Sequence, residues 1–358
     1  MRIDPESLKR LVGAIFAAAG CQSPEPERIA GYLVEANLVG HDSHGVIRVA
    51  AYIQWVRDGR VLANRTLRVV FENDCIAVVD GQFGFGQTMG EESMRIGIEK
   101  SARHGAAVVA LRNCGHLGRI GDWALMAARA NKFSLHFVNT SGAGILVAPF
   151  GGINRRLSAN PIAAGVPVKG GSPIILDIST SAVAEGKIRV AFNKGVPVPD
   201  GSIIDAAGRA TNDPKVFYGT PPGAILPFGG HKGYALGIVA EMLAGALTGN
   251  RCTTPNVTRL SNGMLTILID PTFFQEEDEL SQEVKRFIAF VKSSETTAAS
   301  GEILMPGEPE ERTRAQRLRD GIELDDRTWS QILEAASSVG VSRERVDSLV
   351  AGRPGAVA

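Results

Sequence analysis

Between Thr66 and Asp270 the chain alternates short Val- and Ile-rich runs, bounded by glycines, with longer stretches of helical period. The runs include LRVVF, CIAVVD, AAVVAL, SLHFVN and PIILDI, and MLTILID closes the series. Short runs rich in β-branched residues read as strands. Interleaved with helical stretches near 91–102, 122–130 and 234–247, they predict a layered α/β domain. The two ends are different. Asp4-Pro5-Glu6 places a cap and a first-turn proline before an apolar run that stops at Gly20, and Ser23-Pro24-Glu25 repeats that signal before a segment ending at Gly40. A third helix is expected from Asp42 or Ser43 to about Arg57. From about Pro309 the sequence returns to charged helix. The expected units are residues 1–65 with 310–358, a helical domain built from both termini, and residues 66–309, an α/β domain.

The chain of 358 residues carries 38 Lys and Arg against 38 Asp and Glu, and this zero net charge argues against a dedicated nucleic-acid binder. Its 41 glycines exceed the usual share and point to tight turns or close approach of backbone to a ligand. Cys21, Cys75, Cys114 and Cys252 are dispersed without a CxxC pair, so reduced structural thiols are expected rather than a zinc site or disulfides. MRIDPESLKR has no apolar signal core, and no run is long enough for a membrane span; a cytoplasmic protein without membrane contact is expected.

Several familiar motifs fail. Gly84-Phe85-Gly86 follows a strand, but Gly90 falls one residue late for the dinucleotide fingerprint G-x-G-x-x-G. No G-x-S-x-G elbow or phosphate loop occurs, and His41 and His44 lack an HExxH partner pattern, so no metal is expected. What remains is a set of glycine-backed polar clusters. On a helix starting at Ser43, His44, Arg48 and Tyr52 share one face: either an ordinary solvated face with a Ser cap or a site for a carboxylate beside a reacting carbonyl. In that second reading the helix dipole lowers the His44 pKa. Gly115–Gly121, with His116 and Arg119, joins a strand to a helix: either a tight βα turn whose His caps a carbonyl or a loop suited to a phosphate, with His116 at the sheet end where catalytic groups often sit. Phe228–Gly233, with His231 and Lys232, repeats that arrangement. Asp177 at a strand end and the acidic loop 306–310 are each a turn or a ribose contact.

HDSHGVIRVAAY, GHLGRIGDWA, SANPIA, LDISTSAVAEGK, KGVPVPDG, GGHKGYAL and LMPGEPE occur in this order. Together they closely resemble the malate/L-lactate dehydrogenase family of NAD(P)-dependent oxidoreductases, over about residues 3–345 and nearest the bacterial hydroxycarboxylate dehydrogenase B branch. The resemblance implies a non-Rossmann, three-layer α/β/α mixed sheet of the sulfolactate-dehydrogenase type, with a helical domain from both termini. It implies a homodimer and reversible hydride transfer between NAD(H), with NADP(H) as the alternative, and C2 of a 2-hydroxy/2-oxo acid resembling malate, lactate or hydroxyphenylpyruvate. By the same resemblance Ser43 and His44 form a relay pair, and either His116 or His44 is the acid/base. Arg48, Tyr52, Thr140, Ser141, Asn160 and Lys187 face substrate. His44, Gly118, Arg119, Ile120, Ile175, Leu176, Asp177, Ile178, Ser179, His231, Lys232, Asn262, Gly307, Glu308, Pro309 and Glu310 contact the cofactor. Two alternatives remain, a cyclic ketimine (imino acid) reductase of the same family and a non-catalytic dinucleotide-binding protein. Ketimine reductases carry Asp where this chain has Lys187, and a Lys cannot accept the relay hydrogen bond that a carboxylate accepts.

Overall fold

The computed structural model describes residues 1–142, 144–297 and 301–351. A short strand β1 (Arg2–Ile3) leads into helix α1 (Pro5–Ala18), which the Asp4 carboxylate caps by accepting the Ser7 N–H at 2.8 Å. Helix α2 (Glu25–Leu38) begins without the side-chain cap expected from Ser23. Pro24 takes the cap position, and the Glu25 carboxylate turns inward to accept the Asn64 N–H at 2.8 Å.

The third helix is broken where one continuous element was expected. Two 3₁₀ turns, Asp42–His44 and Val46–Arg48, precede α3 (Val49–Arg57), with Gly45 extended between them. The cause is Asn37 on α2, whose side-chain oxygen accepts the Val46 N–H at 2.8 Å and so interrupts the helical ladder. A Cβ on Gly45 would stand 2.2 Å from that oxygen, so only glycine allows the approach.

Strands β2 (Arg68–Glu72) and β3 (Ile76–Asp80) then lead through α4 (Gly86–His104) to β4 (Ala106–Cys114), and α5 (Gly121–Arg129) to β5 (Phe133–Ser141). Strands β6 (Ile162–Val166) and β7 (Ile174–Ile178), helix α6 (Glu185–Lys194) and the two-residue strands β8 (Ile203–Ile204), β9 (Ala210–Thr211) and β10 (Ala224–Ile225) follow. Helix α7 (His231–Glu241) passes into a π-helical turn, Met242–Leu247, and β11 (Ser261–Ile269) completes the main sheet. Its order is β2-β3-β4-β11-β5-β6-β7, with β3 and β4 parallel and every other pair antiparallel. Helices α4 and α5 cover one face, with Met89, Met94 and Trp123 sharing a buried core with Leu268 of β11. Helix α7 and the π turn pack on β5 and β11 from the opposite side. The fold is therefore a three-layer α/β/α mixed sheet, not the parallel sheet of a Rossmann domain.

After α8 (Glu277–Lys292), helices α9 (Glu308–Asp320), α10 (Asp326–Ser338) and α11 (Arg343–Val350) return to the amino terminus. Strand β12 (Ile322–Glu323) pairs antiparallel with β1. Leu8, Leu11, Ile15 and Phe16 share one buried core with Ile332, Ala336 and Val346, each large side chain contributing about 1.5–3 kcal/mol. A separate small core (Val147, Ile188, Ile203, Phe217, Ile225) lies by the β10-β8-β9 sheet. Two-residue strands carry no periodic signal, which is why the sequence does not announce it. Among the described residues no helix is long and apolar enough to cross a membrane.

Candidate active site

The polar side chains converge where the parallel strands β3 and β4 end against the helical unit. The connection after β3 and the loop after β4 approach closely at glycines: the Gly115 N–H donates to the Gly84 carbonyl at 2.8 Å, and a Cβ on Gly86 would meet the His116 carbonyl oxygen at 2.1 Å. The glycines that failed the dinucleotide spacing thus seat the His116 loop. Gly86→Ala is expected to destabilise the protein by about 3 kcal/mol, because a backbone carbonyl must move. Chemical denaturation with an unchanged midpoint would contradict this.

On that seat His116 stacks on His44, with ring centroids 5.7 Å apart and an interplanar angle of 9°. The Tyr52 hydroxyl, from α3, lies 2.7 Å from His116 Nδ1, and the Ser43 hydroxyl lies 3.1 Å from His44 Nδ1. Arg48 donates through Nε to the Ser43 carbonyl at 2.6 Å, which leaves its two terminal nitrogens without a protein partner among the described residues. A Cβ on Gly186 would stand 2.8 Å from Ser43 Cβ, so the first turn of α6 closes the far wall. Burial, with the Arg48 charge second, lowers the His44 pKa to about 3 and holds His116 well below its ordinary value, so both rings are neutral at pH 7. The dipole argument for His44 does not survive the broken helix: the residue sits in a 3₁₀ turn, and burial is the main cause.

The remaining candidates divide. The Asn262 side chain accepts the Leu117 N–H at 2.9 Å and donates to Thr140 Oγ1 at 2.9 Å, tying the His116 loop to half-buried Thr140. Ser141 is buried, its hydroxyl on the Ser261 carbonyl. Asn160 is fully buried and donates to Glu241 and the Gly237 carbonyl, behind the site rather than in it. Lys187, His231 and Lys232 are exposed, His231 edge-on to Phe150. The Arg119 guanidinium turns inward to Asp122 instead of reaching for a phosphate, and the Asp177 carboxylate takes the Gly121 N–H at the start of α5.

Beside these groups runs a cleft of about 290 Å³ between α2, α9 and β7, lined by His41, Arg119, Ile175, Asp177, Gly307 and Glu310. Glu310 meets His41 Nε2 at 3.2 Å. Glu308 instead accepts the Met305 N–H and pairs with Lys292. Sequence reasoning missed Gln87, whose Nε2 donates to the Tyr52 hydroxyl at 3.2 Å while its buried Oε1 has no partner. Its signal was a polar residue between the glycines set aside as a failed fingerprint. Asn37, which breaks the third helix, was missed too.

A fully buried histidine away from the site sets an acid limit. His136 bonds Thr266 Oγ1 and Ser134 Oγ, and burial lowers its pKa from 6.5 to about 3. Between those values the unfolded chain binds the extra proton, so stability falls as pH drops, by up to about 1.4 kcal/mol per pH unit. His44 and His116 act in the same direction. Asp122, raised to about 6 by burial, opposes them between that pH and its ordinary value of 3.8. Thermal melting should show Tm falling from pH 7 to pH 4, and a flat profile would refute the assignment.

A three-layer α/β chain that pairs two neutral histidines with an arginine open to a carboxylate, alongside a long cleft, is an enzyme of acid substrates. The chain belongs to the malate/L-lactate dehydrogenase family, whose model matches residues 3–333. It is 40% identical to hydroxycarboxylate dehydrogenase B of Escherichia coli O157:H7 over 352 residues, 97% of either chain. To the L-lactate dehydrogenase of Cupriavidus necator it is 36% identical, over 96% of this chain and 99% of that one. The solved sulfolactate dehydrogenase from Methanocaldococcus jannaschii superposes with a TM-score of 0.87 at 33% identity, covering 96% of this chain and 99% of that one. The protein is an oxidoreductase acting on 2-hydroxy acids with a nicotinamide cofactor, and its substrate is a small hydroxy or oxo acid. The residues present fit such a cofactor. Arg119 and His41 of the cleft lie near enough to His44 for their charges to act on it, and Gly307 at φ +102° lets the start of α9 pack closely on Pro173 and Ile175 of the cleft wall.

Proposed function

We propose that this protein transfers hydride reversibly between NAD(H) and C2 of an open-chain 2-hydroxy/2-oxo acid. Arg48 grips the substrate carboxylate with its two open nitrogens, a bidentate geometry that also aims C2. The stacked His44–His116 pair exchanges the proton with the substrate oxygen, and Ser43 holds the His44 ring. His41, Arg119, Ile175–Ser179, Asn262 and Gly307–Glu310 would hold the cofactor, which when bound supplies or accepts the hydride. Preference for NAD is supported by the cleft's charge: Asp177 and Glu310 line it, whereas the guanidiniums of Arg119 and Arg314 are already paired with Asp122 and Glu35. A 2′-phosphate would meet those two carboxylates, with Arg129 as the cleft guanidinium that has no carboxylate partner among the described residues.

A homodimer is supported by α7 and its π turn, whose run from Tyr234 to Leu247 is apolar but for the buried Glu241 and leaves Leu236, Val239, Met242 and Leu247 exposed. The observation that carries the chemical reading is the neutral histidine pair beside Arg48. The test is loss of nicotinamide absorbance with NADH or NADPH and a panel of oxaloacetate, pyruvate, phenylpyruvates and one cyclic ketimine. Turnover on an open-chain oxo acid, faster with NADH, supports the proposal. Activity on the ketimine alone overturns it.

A further inference from the structure

Gln87 stands on the first turn of α4, 1% exposed, with its Nε2 wedged where a Cβ on Gly118 would meet it at 3.3 Å. An amide nitrogen only donates, so at 3.2 Å the Tyr52 oxygen is the acceptor. The Tyr52 hydroxyl proton then needs an acceptor of its own, because a buried O–H is rarely left unpaired. His116 Nδ1, at 2.7 Å, is the remaining partner the structure gives it. Nδ1 therefore accepts, and in a neutral ring the proton resides on Nε2.

We propose that Gln87 is a positioning residue that sets the direction of the Gln87–Tyr52–His116 chain, fixing His116 as the Nε2–H tautomer that donates its proton to the substrate oxygen. This rests on the proposed hydride-transfer reaction and names what its proton side requires. When C2 of the oxo acid accepts hydride, the carbonyl π pair moves to oxygen, which takes the Nε2 proton. The N–H electrons stay on the ring, and Nδ1 takes the Tyr52 proton. Burial disfavours the phenolate left behind, the Arg48 charge and the Gln87 N–H offset part of that cost, and the proton returns through the His116 ring after product leaves. No imidazolium is needed at any stage, which agrees with a ring held neutral.

The direct readout is long-range ¹H–¹⁵N spectroscopy of the full-length protein labelled at histidine, with His116 assigned by its loss in His116→Asn. The wild type should show Nε2 protonated and Nδ1 bare. In Gln87→Glu at neutral pH the carboxylate accepts a hydrogen bond from the Tyr52 O–H, so Tyr52 must accept from the ring and His116 should invert to Nδ1–H. Turnover should fall about 10²-fold with KM for the acid unchanged, since Arg48 is untouched and only the tautomer is wrong. Gln87→Leu removes the donor without adding a charge and should mix the tautomers, with about a tenfold loss in kcat. It carries the test if the Glu variant does not fold. A wild-type Nδ1–H ring, or Gln87 variants that keep the Nε2–H tautomer, would overturn the proposal. Tautomers as stated, with no turnover on any oxo acid, would instead sink the reaction and leave the Gln87 assignment standing.

Discussion

His116→Asn should lower kcat for oxo-acid reduction by about 10²–10⁴-fold, the usual contribution of one placed proton donor. Asparagine keeps a polar side chain near Tyr52 and so spares the packing that alanine would open. KM for the acid should change little, because Arg48 reaches the carboxylate independently of the ring. His44→Asn gives the comparison. Its ring is hydrogen-bonded by Ser43, whereas His116 is held by the Tyr52 hydroxyl that Gln87 in turn orients, so the His116 loss should be the larger. Wild-type turnover in His116→Asn would remove this histidine from the chemistry.

Arg48→Leu should act on the other half of the reaction. The guanidinium is half-buried, anchored through Nε to the Ser43 carbonyl, and free at its two terminal nitrogens. Removing one partner of a buried, hydrogen-bonded charge pair costs about 2–5 kcal/mol, so kcat/KM should fall by about 30- to 5,000-fold. Most of the loss should appear in KM. Arg48→Lys keeps the charge without the planar fork and should fall between the two. The His44 and His116 pKa values should also rise in Arg48→Leu, since that cation is the second cause holding them down. Unchanged KM in Arg48→Leu would mean the carboxylate binds elsewhere.

The strands were legible because they are short runs of β-branched residues between glycines, and LRVVF, CIAVVD and AAVVAL fall on β2, β3 and β4. The sheet order was not. Strand β11 inserts between β4 and β5 from more than a hundred residues away, and pairing at that separation leaves no local trace in sequence. Of the site, the His44–Arg48–Tyr52 spacing pointed to residues that do meet, but through the wrong geometry. A continuous helix was expected, whereas Asn37 and Gly45 break it and two 3₁₀ turns carry His44 and Arg48. Gln87 was illegible for a related reason: its value lies in one hydrogen bond to Tyr52, 35 positions earlier in the chain. Side chains that act through a neighbour carry no motif.

The shared core of the two chain ends has a consequence for how the enzyme comes into being. His44, Arg48 and Tyr52 ride on elements whose packing partners include Ile322, Ile332 and Ala336, near the other end of the chain. On the ribosome the α/β layers, with His116 already on its loop, are complete before those partners have been made. The groups contributed by the first sixty residues therefore gain that packing only once α10 has been made, well after the loop that carries His116.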